Sequence, residues 1–341
     1  MMDTVQLLKI MKPIIFPLQY FDKIIFKSKK IDIKNTILLA GTPRSGTTWL
    51  MEILRTLPGY VSLFEPVNPI FFPESYKAGF KARKYLLADA KWPEGKEYLE
   101  KAFTGKTYTR VPLYQLNPEM FVNRFFGNKL IVKAIGLNRV LPWIAKNIEL
   151  RTIFFIIRHP CAVVSSQLKT GYCGYHLESE PYSDIFPKIE NVLEEAAEIP
   201  NLDDTILDKI KKIKTKEEIL SAIWCLDNYV PLSCKKPYPW NFIIYEKMIS
   251  EGESAVKNLF SKIGEKTIPK SAIEKLNIPS MLAPRDELKI VKDSNKQLSK
   301  WKKSLSKEQI DRILSIVSEF GLNFYSEDIE PDYENRYLKY F

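Results

Sequence analysis

Histidine and cysteine are scarce in this chain. Its 341 residues include two histidines, His159 and His176, and four cysteines, Cys161, Cys173, Cys225 and Cys234, none in C-x-x-C spacing. That inventory speaks against a zinc centre and against a disulfide-stapled secreted fold, so free thiols and a reducing, cytoplasmic setting are expected. Long apolar runs are also missing. The opening stretch MMDTVQLLKIMKPIIFPLQYFDKIIFKSKK is interrupted by Lys9, Lys12, Asp22 and Lys23 and by Pro13 and Pro17. It falls short of the roughly 18 apolar residues that span a membrane, and no small-residue cleavage site follows it. Residues 1–35 are therefore expected to pack on the core as an extension, with no integral membrane segment. No internal repeat or low-complexity tract breaks the rest.

What is present suffices for a large core: 45% of residues are hydrophobic and 12% aromatic. Lysine and arginine number 51 against 41 acidic residues, a net charge of +10 that favours anionic ligands such as nucleotides. Much of that charge fits an ordinary solvated surface, and no recognition module for nucleic acid is apparent.

Short apolar runs read as buried strands: Thr36–Gly41, Tyr60–Phe64, Lys129–Ala134, Thr152–Ile157 and Asn241–Tyr245. Helical patterns between them predict an α/β fold, a P-loop-like central parallel sheet flanked by helices. A helix is expected over Thr47–Leu57. Two further helix starts carry capping boxes, Thr215 with Glu218 and Ser306 with Gln309. The stripe Ile219, Ile223, Leu226 and Val230 follows the first; Ile310, Ile313, Leu314 and Val317 follow the second, which Gly321 ends. One domain over 36–326 is expected, with insertions at 68–128 and 172–216 and a tail at 327–341. The acidic run Glu190, Glu194, Glu195, Glu198 and the basic run Lys209–Lys216 read as solvated helix faces.

The informative stretch is LLAGTPRSGTTWL, residues 38–50. Gly41 and Gly46 lie between a strand and a helix, the context in which a glycine turn holds phosphate on free backbone N–H groups and a helix N-terminus. Arg44, Ser45, Thr47 and Thr48 add a charge-assisted donor and hydroxyls. The lysine that a P-loop kinase needs after the second glycine is replaced by Thr47, and no predicted strand ends in the Asp that would hold Mg²⁺. A second strand-to-helix junction, TIFFIIRHPCAVVSSQLKTGY, carries Arg158, Pro160 in the first helical turn and Ser166 two turns on. Together the two junctions imply one ligand with phosphates at separated positions.

TPRSGTTW resembles the 5′-phosphosulfate loop of sulfotransferases that use 3′-phosphoadenosine-5′-phosphosulfate (PAPS), and RHPCAVVSS resembles their 3′-phosphate motif. FEP (64–66), NFIIYEKM (241–248) and LSKWKKSLSKEQI (298–310) fall in the family's order, so the resemblance runs from about Thr36 to Tyr325. It implies PAPS as donor, PAP as product and no metal. It also implies Arg44, Ser45, Gly46, Thr47 and Thr48 around the phosphosulfate, Arg158 and Ser166 on the 3′-phosphate, Trp49 near the adenine, and Tyr245 and Lys300 lining the pocket. Trp49 and Tyr245 read equally well as core aromatics.

The segment VKAIGL has Ala134 and Ile135 where hormone-type members place a histidine base. That departure, and Arg44 in the loop, turn the resemblance toward carbohydrate and tyrosylprotein sulfotransferases, whose glutamate base Glu65 would match. Glu65 would take the acceptor's proton, Arg44 would neutralise charge on the bridging oxygen, and Lys133 would assist. The acceptor is expected to be a small metabolite or a sugar. Phe71, Phe72, Tyr76, Trp92, Tyr108 and Tyr114 either line its pocket or form a satellite core, and His176 could touch it. A P-loop kinase using ATP is the alternative reading.

Overall fold

Every one of the five apolar runs forms a strand: β1 Thr36–Gly41, β2 Tyr60–Phe64, β3 Lys129–Lys133, β4 Thr152–Ile157 and β5 Asn241–Ile244. They belong to a computed structural model that describes residues 24–80, 83–107, 123, 126–171, 186–200, 202–280 and 293–338. All pairings are parallel, in the order β2-β3-β1-β4-β5. β1 is central, with Leu38 beside Val132 of β3 and beside Ile153 of β4. β3 and β5 each end one residue before the expected boundary: Ala134 makes a last bond to Leu39 O ahead of a 3₁₀ turn, and Tyr245 opens a helix.

Strand side chains alternate between faces, and here the alternation divides them into two cores. Leu38, Ala40, Val132, Phe155 and Ile244 enter one; Ile37, Leu39, Ile131, Phe154 and Ile243 enter the other. Both faces are thus covered, as a parallel sheet requires. Residues such as Ile37, Leu38 and Leu39 are fully buried, and each contributes about 1.5–3 kcal/mol by leaving water.

One face is covered by α1 (Thr47–Leu54) through Leu50, Ile53 and Leu54. This helix stops three residues short of the sequence expectation. Its C-terminal amides tighten into shorter turns, Thr56 N–H donating to Ile53 O and Leu57 N–H to Leu54 O, ahead of Pro58. The other face receives α2 (Pro93–Phe103), α4 (Ile189–Ala197) and α5 (Lys216–Leu232), with α3 (Pro160–Thr170) placed between β4 and α4 in the chain. Both capping boxes form, at Thr215 and at Ser306, which starts α7 (Lys307–Glu319) after α6 (Tyr245–Glu251). Gly321, at φ +69°, closes α7: its N–H donates to Ser318 O and Leu322 N–H to Val317 O, a Schellman motif.

Phe72 lies in the core, with Phe71 and Trp92 packed against it, whereas Tyr76 is exposed. Phe71, Phe72 and Trp92 thus belong to the main core under the sheet; Tyr108 and Tyr114 lie outside the described residues. Of the acidic run, Glu190, Glu194 and Glu198 are exposed as expected, but Glu195 turns inward to Arg83 and Arg139. Cys161, Cys225 and Cys234 are free thiols; Cys173 and His176 lie outside the described residues. Among those residues no helix is long and apolar enough to cross a membrane.

The arrangement that positions the site is at the carboxyl ends of the strands. β1 runs into Thr42–Gly46, β2 into Glu65, β3 ends on Lys133, β4 runs into Arg158 and β5 into Tyr245. In open α/β sheets this edge is where ligands bind.

Candidate active site

The loop after β1 is built by backbone conformation. Gly46 caps α1 with φ +100°, and a Cβ there would lie 2.7 Å from Cδ2 of Tyr245. Only glycine suits both demands. Among the described residues, Arg44 (φ +74°) and Glu65 (φ +49°) are the non-glycine residues with a left-handed backbone. Each such conformation costs on the order of 1–3 kcal/mol and persists where the surroundings impose it. Both are residues the sequence assigned to chemistry. Thr47 and Thr48 occupy the first turn of α1, whose cap has no side chain to satisfy the leading N–H groups.

The second junction folds onto the first. Arg44 Nε donates to Ser166 Oγ at 3.0 Å, and Arg158 Nη1 donates to Arg44 O at 3.3 Å. The Arg158 guanidinium lies 4.3 Å from the centre of the Tyr245 ring. Its Nε–H is buried with no hydrogen-bond partner. Ala162, Ser165, Ser166 and Lys169 recur at helical spacing on α3 and line one wall of the cleft. Next to Arg158, His159 is structural. Its Nδ1 accepts from Cys161 N–H at 3.1 Å, which leaves Nε2–H to donate to Ser326 O at 3.0 Å, and its ring stacks on Trp301. Burial pushes its pKa down to about 3, so the ring is held neutral.

Glu65 and Lys133, 68 residues apart in sequence, form an ion pair with Lys133 Nζ 2.5 Å from Glu65 Oε1. Their side chains are 1% and 4% exposed. Parallel pairing of β2 with β3 sets Phe64 opposite Lys133, and Glu65 N–H donates to Lys133 O. Ile135 N–H donates to the second carboxylate oxygen at 3.1 Å. Burial raises the Glu65 carboxyl above the ordinary carboxylate value, while Lys133 and the Ile135 amide oppose that rise. Lys133 also lies 4.2 Å from the Phe64 ring centre.

These elements surround an open cleft. Arg44, Gly46, Thr47, Thr48, Trp49, Lys133, Arg158, Ser166, Tyr245 and Lys300 all line it. Two of the expected residues do not. Ser45 is fully buried and its hydroxyl faces the Gly41 side of the loop, while Glu65 sits behind Lys133. Trp49 is at once core and wall: it meets Tyr245 edge-on at 5.3 Å and its Nε1 donates to Lys275 O. Sequence reasoning missed Ser165, Lys169, Gln297 and the stretch Leu276–Ser280, which also line the cleft. Helical spacing from Ser166 could have found Lys169, three residues on; nothing local marks the others. Gln297 Nε2 donates to Tyr245 Oη at 3.1 Å and so fixes that ring from above.

No family model and no curated protein matches the chain. Solved structures similar to it include the sulfotransferase domain from the Synechococcus PCC 7002 olefin synthase, at 14% identity and a TM-score of 0.45. That match covers 87% of this chain and 96% of the other. The sulfotransferase domain from the curacin biosynthetic pathway matches at 14% identity and a TM-score of 0.41, over 83% of this chain and 96% of that one.

Proposed function

We propose that the cleft binds PAPS and that the protein transfers its sulfuryl group to a hydroxyl or amine of a small metabolite or sugar, releasing PAP, in the cytoplasm. The observation that carries this reading is the meeting of the two phosphate-type junctions: Arg44 on Ser166 and Arg158 on the Arg44 carbonyl put both arginines on one wall. A ligand with two anionic groups suits that wall, and the unpartnered Arg158 Nε–H is a donor that an anion would complete.

When bound, PAPS supplies an activated sulfuryl group and a stable leaving group. Gly46, Thr47 and Thr48 would hold the phosphosulfate end at the start of α1, and Arg158 and Ser166 the 3′-phosphate. Trp49 and Tyr245 would flank the nucleotide, with Lys300 across the cleft. Arg44 and Lys133 are the cations available to charge developing at the transfer point. Glu65 is the base of this reading, and its buried carboxylate reaches the cleft through Lys133: the acceptor's proton would pass to Lys133 Nζ as Lys133 gives one of its own to Glu65 Oε1.

Calorimetric titration with PAP, and separately with ATP plus Mg²⁺, tests the reading on wild type and on Arg158→Ala. Micromolar PAP binding that the substitution abolishes, with feeble ATP binding, supports the donor. Tight ATP–Mg²⁺ binding and indifference to PAP would overturn it in favour of a P-loop kinase.

A further inference from the structure

Behind the cleft lies a buried ion network that the reaction scheme does not use. Arg139 is 1% exposed; its Nε donates to Asp227 Oδ1 at 3.0 Å and its Nη1 to Glu195 Oε2 at 3.0 Å. Arg83 grips the same Glu195 with two bonds, Nε to Oε2 at 2.9 Å and Nη2 to Oε1 at 3.0 Å. Two arginines and two carboxylates balance, which is how buried ions persist. Four separate stretches supply them: Arg83 the segment after β2, Glu195 α4, Asp227 α5, and Arg139 the 3₁₀ turn Ile135–Val140.

That 3₁₀ turn is the link to the site. It starts at Ile135, whose N–H donates to Glu65 Oε2 and whose side chain lines the cleft. The chain is fixed to the sheet just before it, where Ala134 N–H donates to Leu39 O, and is fixed at its far end by Arg139. The amide that holds the carboxylate is thus suspended between two anchors. We infer that Arg139, with Asp227 and Glu195, is a positioning residue for the Glu65 carboxylate. Through Arg83 and Glu195 it also ties the two acceptor-side segments to that carboxylate. The inference rests on the reading of Glu65 as the base.

Lys133, from β3, is the charged side chain that faces Glu65, and the Ile135 amide is its other partner. Slackening the turn withdraws a donor that favours the charged form, so the Glu65 midpoint moves upward. The test uses the double variant Arg139→Met/Asp227→Leu, which removes both charges at similar volume and spares the fold a lone buried ion. Amide hydrogen exchange at Ile135 should quicken by at least about tenfold, the scale of a lost bond to a charged acceptor. The ¹³C-carboxyl titration midpoint of Glu65 should rise in the same variant. Should the double variant fail to fold, Glu195→Gln, which leaves Arg139 on Asp227, should shift both readouts the same way by less. An unchanged Ile135 exchange rate and an unchanged Glu65 midpoint in a folded variant overturn the inference. Both readouts register the carboxylate without any donor present. A wild type that ignores PAP would therefore sink the proposed function while leaving this coupling to stand or fall on its own data.

Discussion

Replacing Lys133 by methionine tests whether the buried ion pair, rather than either residue alone, is the unit at the sheet edge. The pair is 2.5 Å apart with both side chains at most 4% exposed, so screening by water does not reduce it. Removing one partner of such a pair leaves an uncompensated buried charge and costs about 3–5 kcal/mol. The cost should depend on pH in a defined direction. The folded Glu65 carboxyl titrates above its unfolded value, so between the two the folded chain keeps a proton that the unfolded chain has released. Stability at this site is therefore complete below the ordinary value of 4.5 and is lost as pH rises through the folded value. Lys133 supplies the two largest influences that hold the folded value down, so its loss extends the window upward. Urea unfolding at pH 5, 6, 7 and 8 should show the Lys133→Met penalty largest at pH 7–8 and shrinking toward pH 5. In a Glu65→Gln background the same substitution should cost far less, giving a coupling energy of a few kcal/mol in the double-mutant cycle. A penalty independent of pH, or equal in both backgrounds, would refute the reasoning.

Three other outcomes follow from the same geometry. On the proposed function, Glu65→Gln should lower sulfuryl transfer by about 10²–10⁴-fold, the usual worth of a general base, with PAP affinity unchanged by calorimetry; retained turnover would remove Glu65 from that role. Gly46→Ala drives a Cβ to 2.7 Å from the Tyr245 ring at φ +100°. It should cost on the order of 1–3 kcal/mol in urea unfolding and weaken PAP binding more than tenfold; an unperturbed variant would mean the loop is looser than described. His159 titrates near 3 when folded against 6.5 when free, so its contribution is present above 6.5 and is lost as pH falls toward 3. That loss should reach the order of a few kcal/mol, and His159→Asn should flatten this acid limb.

The sequence made strands and caps legible because their signals are local. A buried strand announces itself as an apolar run and a capping box as two residues three apart, and all five strands and both boxes formed. The strand–loop–helix join after β1 was legible for the same reason, since its glycines, arginine and threonines lie within eight residues. Even there the local pattern overreached at Ser45, whose hydroxyl the left-handed Arg44 turns inward. Long-range pairing was not legible. The sequence assigns Lys133 to chemistry beside Glu65, but nothing local shows that the two pair; only the β2–β3 register sets them together. Glu195 reads as one of four acids on a solvated face, yet Arg83 and Arg139 hold it inward.

The two cases share a physical cause. A charge is assigned to the surface by default because burying it alone is costly, and that default fails where a partner of opposite sign arrives from a distant segment. In this fold the failures gather at the carboxyl edge of the sheet, where the parallel crossovers bring remote segments together. Residues that break the local rule there form two buried ion pairs, Glu65 with Lys133 and Arg139 with Asp227, and the turn Ile135–Val140 links them, its first amide on Glu65 and its Arg139 on Asp227.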